Sequence, residues 1–431
     1  MGTMKRTLAS LLSPLRQCSP VSLGIFITLS VATFFLSALP GTLDVNIWYG
    51  WTAQLNRLGP VAGYNADVGY ILHPPLGLIL IWLSHDVPAH FGVPVYLWPN
   101  IGFTGYGVCI WLSLVGCSLL VVRMTGRLWL GVLFQVAFTL NTVVYGYFDV
   151  WGIPFLLLAM EATTREKPGT AFSWALLASL VKWQYLLVLP FFFLYVLMAC
   201  RGTSNDRFQW VRRLFVAITP GLCIVLVFLL FFGKGMMLSF GRGLSSPELS
   251  GHALNVSWLI TWAMHIVWSE SYQALENGLI EVIRTRDTRV LLLVRSLFGA
   301  AYAFSLWRLW SRPARADHFL HCMLAGYLAY FVLNKGAHEN HLVPAMVIAG
   351  YLAWRQPTWR WGALSIAVIG NVNMFAFYNI MGQERREARL VLGMDYSLPL
   401  ALVASVVLLG IYCALLMGER SRDNGVAPVA S

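Results

Sequence analysis

The chain has 431 residues, of which 58% are hydrophobic and 11% charged, against about a quarter charged in an ordinary soluble domain. A soluble surface cannot be built from that composition, and its 30 Lys and Arg against 19 Asp and Glu leave a net charge of +11 to be explained. The strict alternation of an outer-membrane barrel is absent, so apolar helices are the way such a chain satisfies its backbone in lipid.

Taken in chain order, residues 1–20 read as a cytoplasmic N-terminal segment. Lys5, Arg6 and Arg16 precede an apolar stretch longer than a secretory signal core, which reads as a retained first helix over 21–40. Next comes an outer loop, 41–100. Further helices are expected near 101–123, 128–146, 149–161, 170–182, 185–200, 213–232, 289–308, 318–333, 341–354, 360–378 and 397–417. Many of these runs approach the roughly 20 residues that cross a hydrocarbon core. Residues 418–431 read as a cytoplasmic tail. The fold class is therefore an all-α polytopic membrane protein, a single domain over 21–417 with about twelve spans. Its seven cysteines lie in apolar segments or at cytoplasmic ends and imply no disulfide framework.

Charge orients the helices. In this arrangement one side carries 18 of the 30 bases and six of the 19 acids, a net +12, and the other 12 bases and 13 acids, a net −1. The basic side is cytoplasmic by the positive-inside rule, with both termini on it. That charge reads as a topology signal and an attraction to anionic membrane lipid, and nucleic-acid binding explains it less well. The longest polar stretches, 41–100, 233–256, 269–288 and 379–396, fall on the other face, where the chemistry is expected.

Ionisable residues at membrane depth are functional candidates. Asp44 follows the first helix. Farther on, Tyr70 and His73 lie in Gly69-Tyr70-Ile71-Leu72-His73-Pro74-Pro75-Leu76-Gly77, whose two prolines set an extended lead into a short apolar helix. Asp149 closes Tyr145-Gly146-Tyr147-Phe148-Asp149, Lys182 and Gln184 flank Trp183, Trp258 follows Asn255, and Lys335, His338 and Glu339 open a run that reaches Pro344.

Blander roles compete. Asp149 is placed to cap a helix, and Lys182 to snorkel to the headgroups. Trp48, Trp51, Trp82, Trp98 and Trp258 suit an interfacial belt, with one or two free to stack on sugars. Arg385, Arg386 and Arg389, mixed with Glu384 and Glu387, suit an exposed i to i+4 charge pattern. His338 and Glu339 make a poor metal pair, because adjacent residues on a helix point apart.

This ordered set resembles the GT-C glycosyltransferases, in particular the polyprenyl-phosphate-mannose-dependent, GPI-mannosyltransferase-like branch. In that branch an acidic residue follows helix 1, a Tyr-Pro-Pro-Leu motif opens a helix lying along the membrane, and Trp-Gly-Gln-x-Asp, Lys-Pro-Gln, Asn-x-x-Trp and Lys-Val-His-Glu-Arg-Tyr-Leu-x-Pro segments follow. Here His73 stands in the tyrosine position, Trp183 in that of the proline and Asn340 in that of the arginine.

The resemblance implies a GT-C-like helical bundle whose outer first loop carries short membrane-parallel helices. It also implies a membrane glycosyltransferase without metal or cofactor. A sugar, mannose by analogy, would pass with inversion from a polyprenyl-phosphate donor to a lipid or glycan acceptor on the outer face of a bacterial inner (plasma) membrane. Asp44 is then the base, with an ordinary low pKa. Lys182, His338 and Lys335 stabilise the leaving phosphate, and Gln184, Glu339, Asp149, Tyr70, His73 and Trp258 complete donor or sugar binding. A carrier or flippase for a lipid-linked or anionic solute would use the same charges as a binding site, though the internal repeats typical of such folds are not evident. An inactive GT-C-like partner subunit is the third reading.

Overall fold

A computed structural model describes residues 19–66, 71–202, 207–245, 247–272, 275, 278–285, 287–313 and 315–417. Tyr70, residues 1–18 of the N-terminal segment and the tail 418–431 lie outside the described residues. The chain is an all-α integral membrane protein. Its helices are α1 Pro20–Leu36, α2 Leu43–Leu58, α3 Pro60–Asn65, α4 Pro75–Ala89, α5 Gly105–Thr125, α6 Leu128–Thr139, α7 Ile153–Thr164, α8 Pro168–Val181, α9 Leu189–Gly202, α10 Arg207–Ser245, α11 Val256–Val267, α12 Thr288–Trp310, α13 Ala316–Leu333, α14 Val343–Arg355, α15 Arg360–Phe377 and α16 Ser397–Met417. Among the described residues six helices are long and apolar enough to cross a membrane: α5, Trp183–Gly202, Phe208–Ser245, α12, α13 and α16.

Local chemistry sets the helix ends. The side chains of Ser19, Thr104, Asn255 and Asp287 each accept a backbone N–H from the first turn of the helix that follows. Proline opens α1, α3, α4 and α8, where its missing N–H costs nothing. Pro74 is extended, with φ −63° and ψ 159°, and α4 starts at Pro75.

The twelve expected helices are all present, with shifted bounds. Phe148–Trp151 is a 3-10 turn before α7, and Trp183–Val188 a 3-10 segment before α9. A π-helical turn, Leu140–Val144, ends the segment begun by α6. The expected 213–232 helix extends over 39 residues as α10. Here Asn65 inserts its amide beside the helical ladder, accepting from the Gly235 N–H at 2.8 Å and donating to the Phe231 carbonyl at 2.8 Å.

The core centres on α13, 83% of whose most apolar stretch is buried, whereas only 6% of the corresponding stretch of α10 is. Around α13 the bundle is closed by α7, α9, α11, α12, α14 and α16. Helix α2 lies against one end and turns Trp48, Trp51, Thr52 and Leu55 inward, the i, i+3, i+4, i+7 face of a helix. Helix α4 meets the end of α8 at Gly77. A β-carbon there would stand 2.1 Å from the Val181 carbonyl oxygen, so only glycine lets the two backbones approach.

Two tryptophan readings change. Trp48 and Trp51 are buried under α2 and Trp258 is fully buried in a second apolar cluster with Phe377 and Ala401, so none of the three belongs to an interfacial belt. The arginine reading changes as well. Residues 379–396 form a turn, a short 3-10 segment and a two-stranded hairpin, so no helix spaces the arginines by i and i+4. Arg389 is buried beside Asp395 at 3.7 Å and donates to the Ile280 carbonyl at 3.0 Å, while Arg385 sits over the Phe375 ring at 4.2 Å.

Candidate active site

Helices α7 and α8 are consecutive and antiparallel, so the start of one lies beside the end of the other. That topology brings Asp149, in the turn before α7, to Lys182, the residue that ends α8. The ammonium donates to both carboxylate oxygens, at 2.8 and 2.7 Å, and both residues are almost fully buried. Asn340 donates to the same carboxylate at 3.3 Å, and the Tyr185 hydroxyl to the Asp149 carbonyl at 3.2 Å. The ammonium also lies 5.3 Å from the centre of the Phe148 ring. Neither bland role survives: Lys182 turns inward and does not snorkel, and the Asp149 side chain caps no helix. Lys182 is held in an ion pair and is not an open cation for a phosphate.

Asp44 stands in the first turn of α2, the position a helix dipole favours for an acid. Its surroundings do the opposite. Burial, with the Glu339 charge next, pushes its carboxyl up to about 6; Asp149 adds to the rise, and His338 and Lys182 oppose it. The ordinary low pKa expected of this residue is thereby corrected. Glu339 follows α13 in a rigid setting: its carboxylate accepts from the Tyr147 hydroxyl, and its backbone carbonyl from the Asn373 amide at 2.7 Å. Burial carries Glu339 up to about 7, although the Tyr147 bond and Lys182 pull it down.

His338 is half-exposed and lies 3.7 Å from Glu248. Its strand Ala337–His338 pairs in parallel with Ser250–Gly251, which places Glu248 beside it. Desolvation of the ring on its inner side, with the Lys182 charge, lowers its pKa despite Glu248 and Asp44, so near neutral pH the ring is an uncharged hydrogen-bonding group. His73 lies edge-on to Trp48, Trp51 and Phe148, with the nearest ring centre 4.7 Å away, and its carbonyl accepts from Tyr64 at 2.9 Å and Ser239 at 3.1 Å. Burial and the Lys182 charge hold it well below the usual histidine range.

Gln184 pairs with a residue that sequence reasoning missed. His341 Nδ1 accepts the His338 N–H at 3.1 Å and lies 2.8 Å from the Tyr330 hydroxyl, which leaves the ring proton on Nε2. That nitrogen is 2.6 Å from the Gln184 amide. As placed, the Gln184 Nε2 faces it and the buried Oε1 has no partner; exchanging the amide oxygen and nitrogen would turn the contact into an N–H to oxygen hydrogen bond. Tyr147 and Glu248 were also missed. The only trace of Tyr147 in the sequence was its place beside Gly146 and Asp149.

Two expected site residues lie elsewhere. Trp258 donates its indole N–H to Ser397 at 2.9 Å inside the second apolar cluster and offers no face to a ligand. Lys335 is half-buried toward Arg295, and burial and that neighbouring cation lower its pKa.

Behind the first turn of α2 a cavity of about 30 Å³ is lined by Val45, His85, Tyr106 and Gly146; it has room for a water or two and not for a sugar. Among the described residues no group of three or more His, Cys, Asp or Glu is arranged to hold a metal ion. What the cluster can supply is a desolvated carboxylate that changes charge near pH 6, a second near pH 7, and a neutral imidazole, all set against a buried ion pair. No family model matches this chain, and no curated protein matches it.

Proposed function

We propose that this chain is an inverting, metal-independent GT-C-like glycosyltransferase that passes a sugar from a polyprenyl-phosphate donor to an acceptor hydroxyl. The observation that carries the reading is Asp44, a desolvated carboxylate raised to about 6 and facing Glu339, His338 and the Asp149–Lys182 pair at one end of the bundle. General bases work best when their pKa lies near the operating pH, and burial has moved this carboxylate in that direction.

In the proposed step the acceptor oxygen gives its proton to Asp44 and bonds to the anomeric carbon, while the bond from that carbon to the phosphate oxygen breaks on the opposite face. Polyprenyl phosphate leaves with the electron pair. Glu339, held by Tyr147, and the neutral His338 accept and donate hydrogen bonds to sugar hydroxyls. The charges around Asp44 are mostly acidic, and Lys182 is already neutralised. That leaves the donor phosphate to neutral hydrogen-bond donors of the cluster such as the His338 ring. Mannose is the sugar by the resemblance.

The same reading takes the twelve helices as spans, places both termini in the cytoplasm and puts Asp44 on the outer face of a plasma membrane; the charge imbalance along the sequence supports it. In a cysteine-free background, cysteines at Ala66 and Leu392, both exposed, react with an impermeant thiol reagent from outside, and one at the exposed Lys167 does not. The activity itself is tested by incubating membranes containing the protein with a panel of radiolabelled polyprenyl-phosphate sugars. Transfer to a lipid or glycan acceptor is expected. Uptake or translocation of the labelled lipid without transfer would point to a carrier instead.

A further inference from the structure

At the end of the bundle opposite Asp44, an open groove of about 730 Å³ runs between the start of α8 and the first turns of α10. Its wall is apolar, with Val216, Ala217 and Pro220, and its mouth is basic, with Lys167, Arg212 and Arg213. A tight crossing fixes its shape. A β-carbon on Gly169 would stand 2.6 Å from the Ala217 carbonyl oxygen, and one on Gly221 2.6 Å from Leu176, so the two helices touch there and diverge on the groove side. The groove also opens toward apolar surface, because Phe208, Phe215 and Val216 are exposed on the same turns of α10.

A cationic mouth at the edge of an exposed apolar helix, continued by an apolar wall, matches a molecule with a negative head and a hydrocarbon tail. We propose that this groove binds an anionic phospholipid of the surrounding leaflet, its phosphate among Lys167, Arg212 and Arg213 and an acyl chain along Val216, Ala217 and Pro220. Bulk attraction between a basic protein end and anionic lipid needs no groove and treats all its arginines alike. A built site favours the three residues at its mouth. This proposal does not depend on the glycosyltransferase reading, and its test uses no activity.

The thermal unfolding midpoint of the full-length protein in detergent is measured with phosphatidylglycerol, phosphatidylcholine or inorganic phosphate at equal concentration. Phosphatidylglycerol raises the midpoint of the wild type, and the other two leave it nearly unchanged. The double variant R212A/R213A loses most of that rise and K167A part of it. R360A, an exposed arginine at the same end but outside the groove, keeps it in full. An equal rise with phosphatidylcholine, the same rise with phosphate alone, an unchanged rise in the double variant, or a loss in R360A as large as in the double variant would each overturn the proposal. Should the double variant fail to purify, native mass spectrometry of R212Q, altered at an exposed position, decides. Fewer retained anionic lipids than in the wild type supports the site, and equal retention overturns it.

Discussion

Asp149 with Lys182, and Asp44 with Glu339, are neighbouring acidic regions at one end of the same bundle, held by different means; Asp149, Lys182 and Glu339 are buried and Asp44 partly so. Asp149 is almost inaccessible yet has a bidentate cation and an amide to hold its charge. Asp44 and Glu339 are desolvated beside one another, with a neutral imidazole and an already paired lysine for company, and their carboxyls rise to about 6 and about 7. The difference teaches where the fold spends stability and where it stores reactivity. A paired buried charge is structural, and removing its partner is costly. A desolvated, unneutralised carboxyl makes the folded state less stable when ionised and is a better proton acceptor for it.

The largest effect comes from breaking the paired region. Lys182→Met leaves Asp149 buried without its cation, a loss of about 3–5 kcal/mol, and unfolding in detergent should show it as a steep fall in midpoint. Adding Asp149→Asn to that variant should recover much of the loss. Wild-type stability for the single variant would mean that the ion pair is not what it looks like.

Opposite behaviour is expected of the other region. Raised carboxyls hold protons in the folded state that the unfolded chain would release, so their contribution is fully present below pH about 4. It is lost as pH rises through about 6 for Asp44 and about 7 for Glu339. Glu339→Gln should therefore stabilise the protein at pH 8, by an amount on the order of 2–3 kcal/mol, and change little at pH 4. Destabilisation at pH 8 with no change at pH 4 would reverse the sign and remove Glu339 from the desolvated pair. A smaller effect is expected of Tyr147→Phe, which takes one hydrogen bond from Glu339 at a cost of about 1 kcal/mol and shifts the Glu339 titration upward, visible in the same pH series. No shift would mean the hydroxyl and the carboxylate do not meet.

Much of this architecture was legible because lipid demands long apolar runs, and each of the twelve expected helices exists within several residues of its place, α10 excepted. The end of α10 is apolar and polar by turns, and only its bonds to Asn65 and, through Ser239, to the His73 carbonyl show why it continues as helix. Helix α2 was hidden in a stretch read as loop, since its apolar residues follow a helical face interrupted by Asn46, Gln54 and Arg57. The candidate site was half visible. Residues at helix ends, such as Asp149 and Lys182, could be placed on one side from topology, but their pairing depends on the antiparallel register of α7 and α8. Tyr147 with Glu339 and Gln184 with His341 are contacts across 192 and 157 positions, which composition and spacing do not encode. Trp258 and Arg389 went the other way: a tryptophan suited to the membrane interface fills a small core, and an arginine, a type that favours surfaces, is buried in it beside Asp395.

The central claim, that Asp44 is the proton acceptor in sugar transfer, is tested most directly by steady-state turnover of Asp44→Asn with whichever polyprenyl-phosphate sugar the wild type accepts, across pH 5 to 8. The amide keeps the shape and cannot take the proton. The account predicts a fall of roughly 100-fold or more, loss of the wild-type rise in kcat/KM through pH about 6, and an unfolding midpoint at pH 8 no lower than that of the wild type. Turnover within about twofold of wild type, a barrier change of roughly 0.4 kcal/mol, in a variant that inserts and folds normally would contradict it.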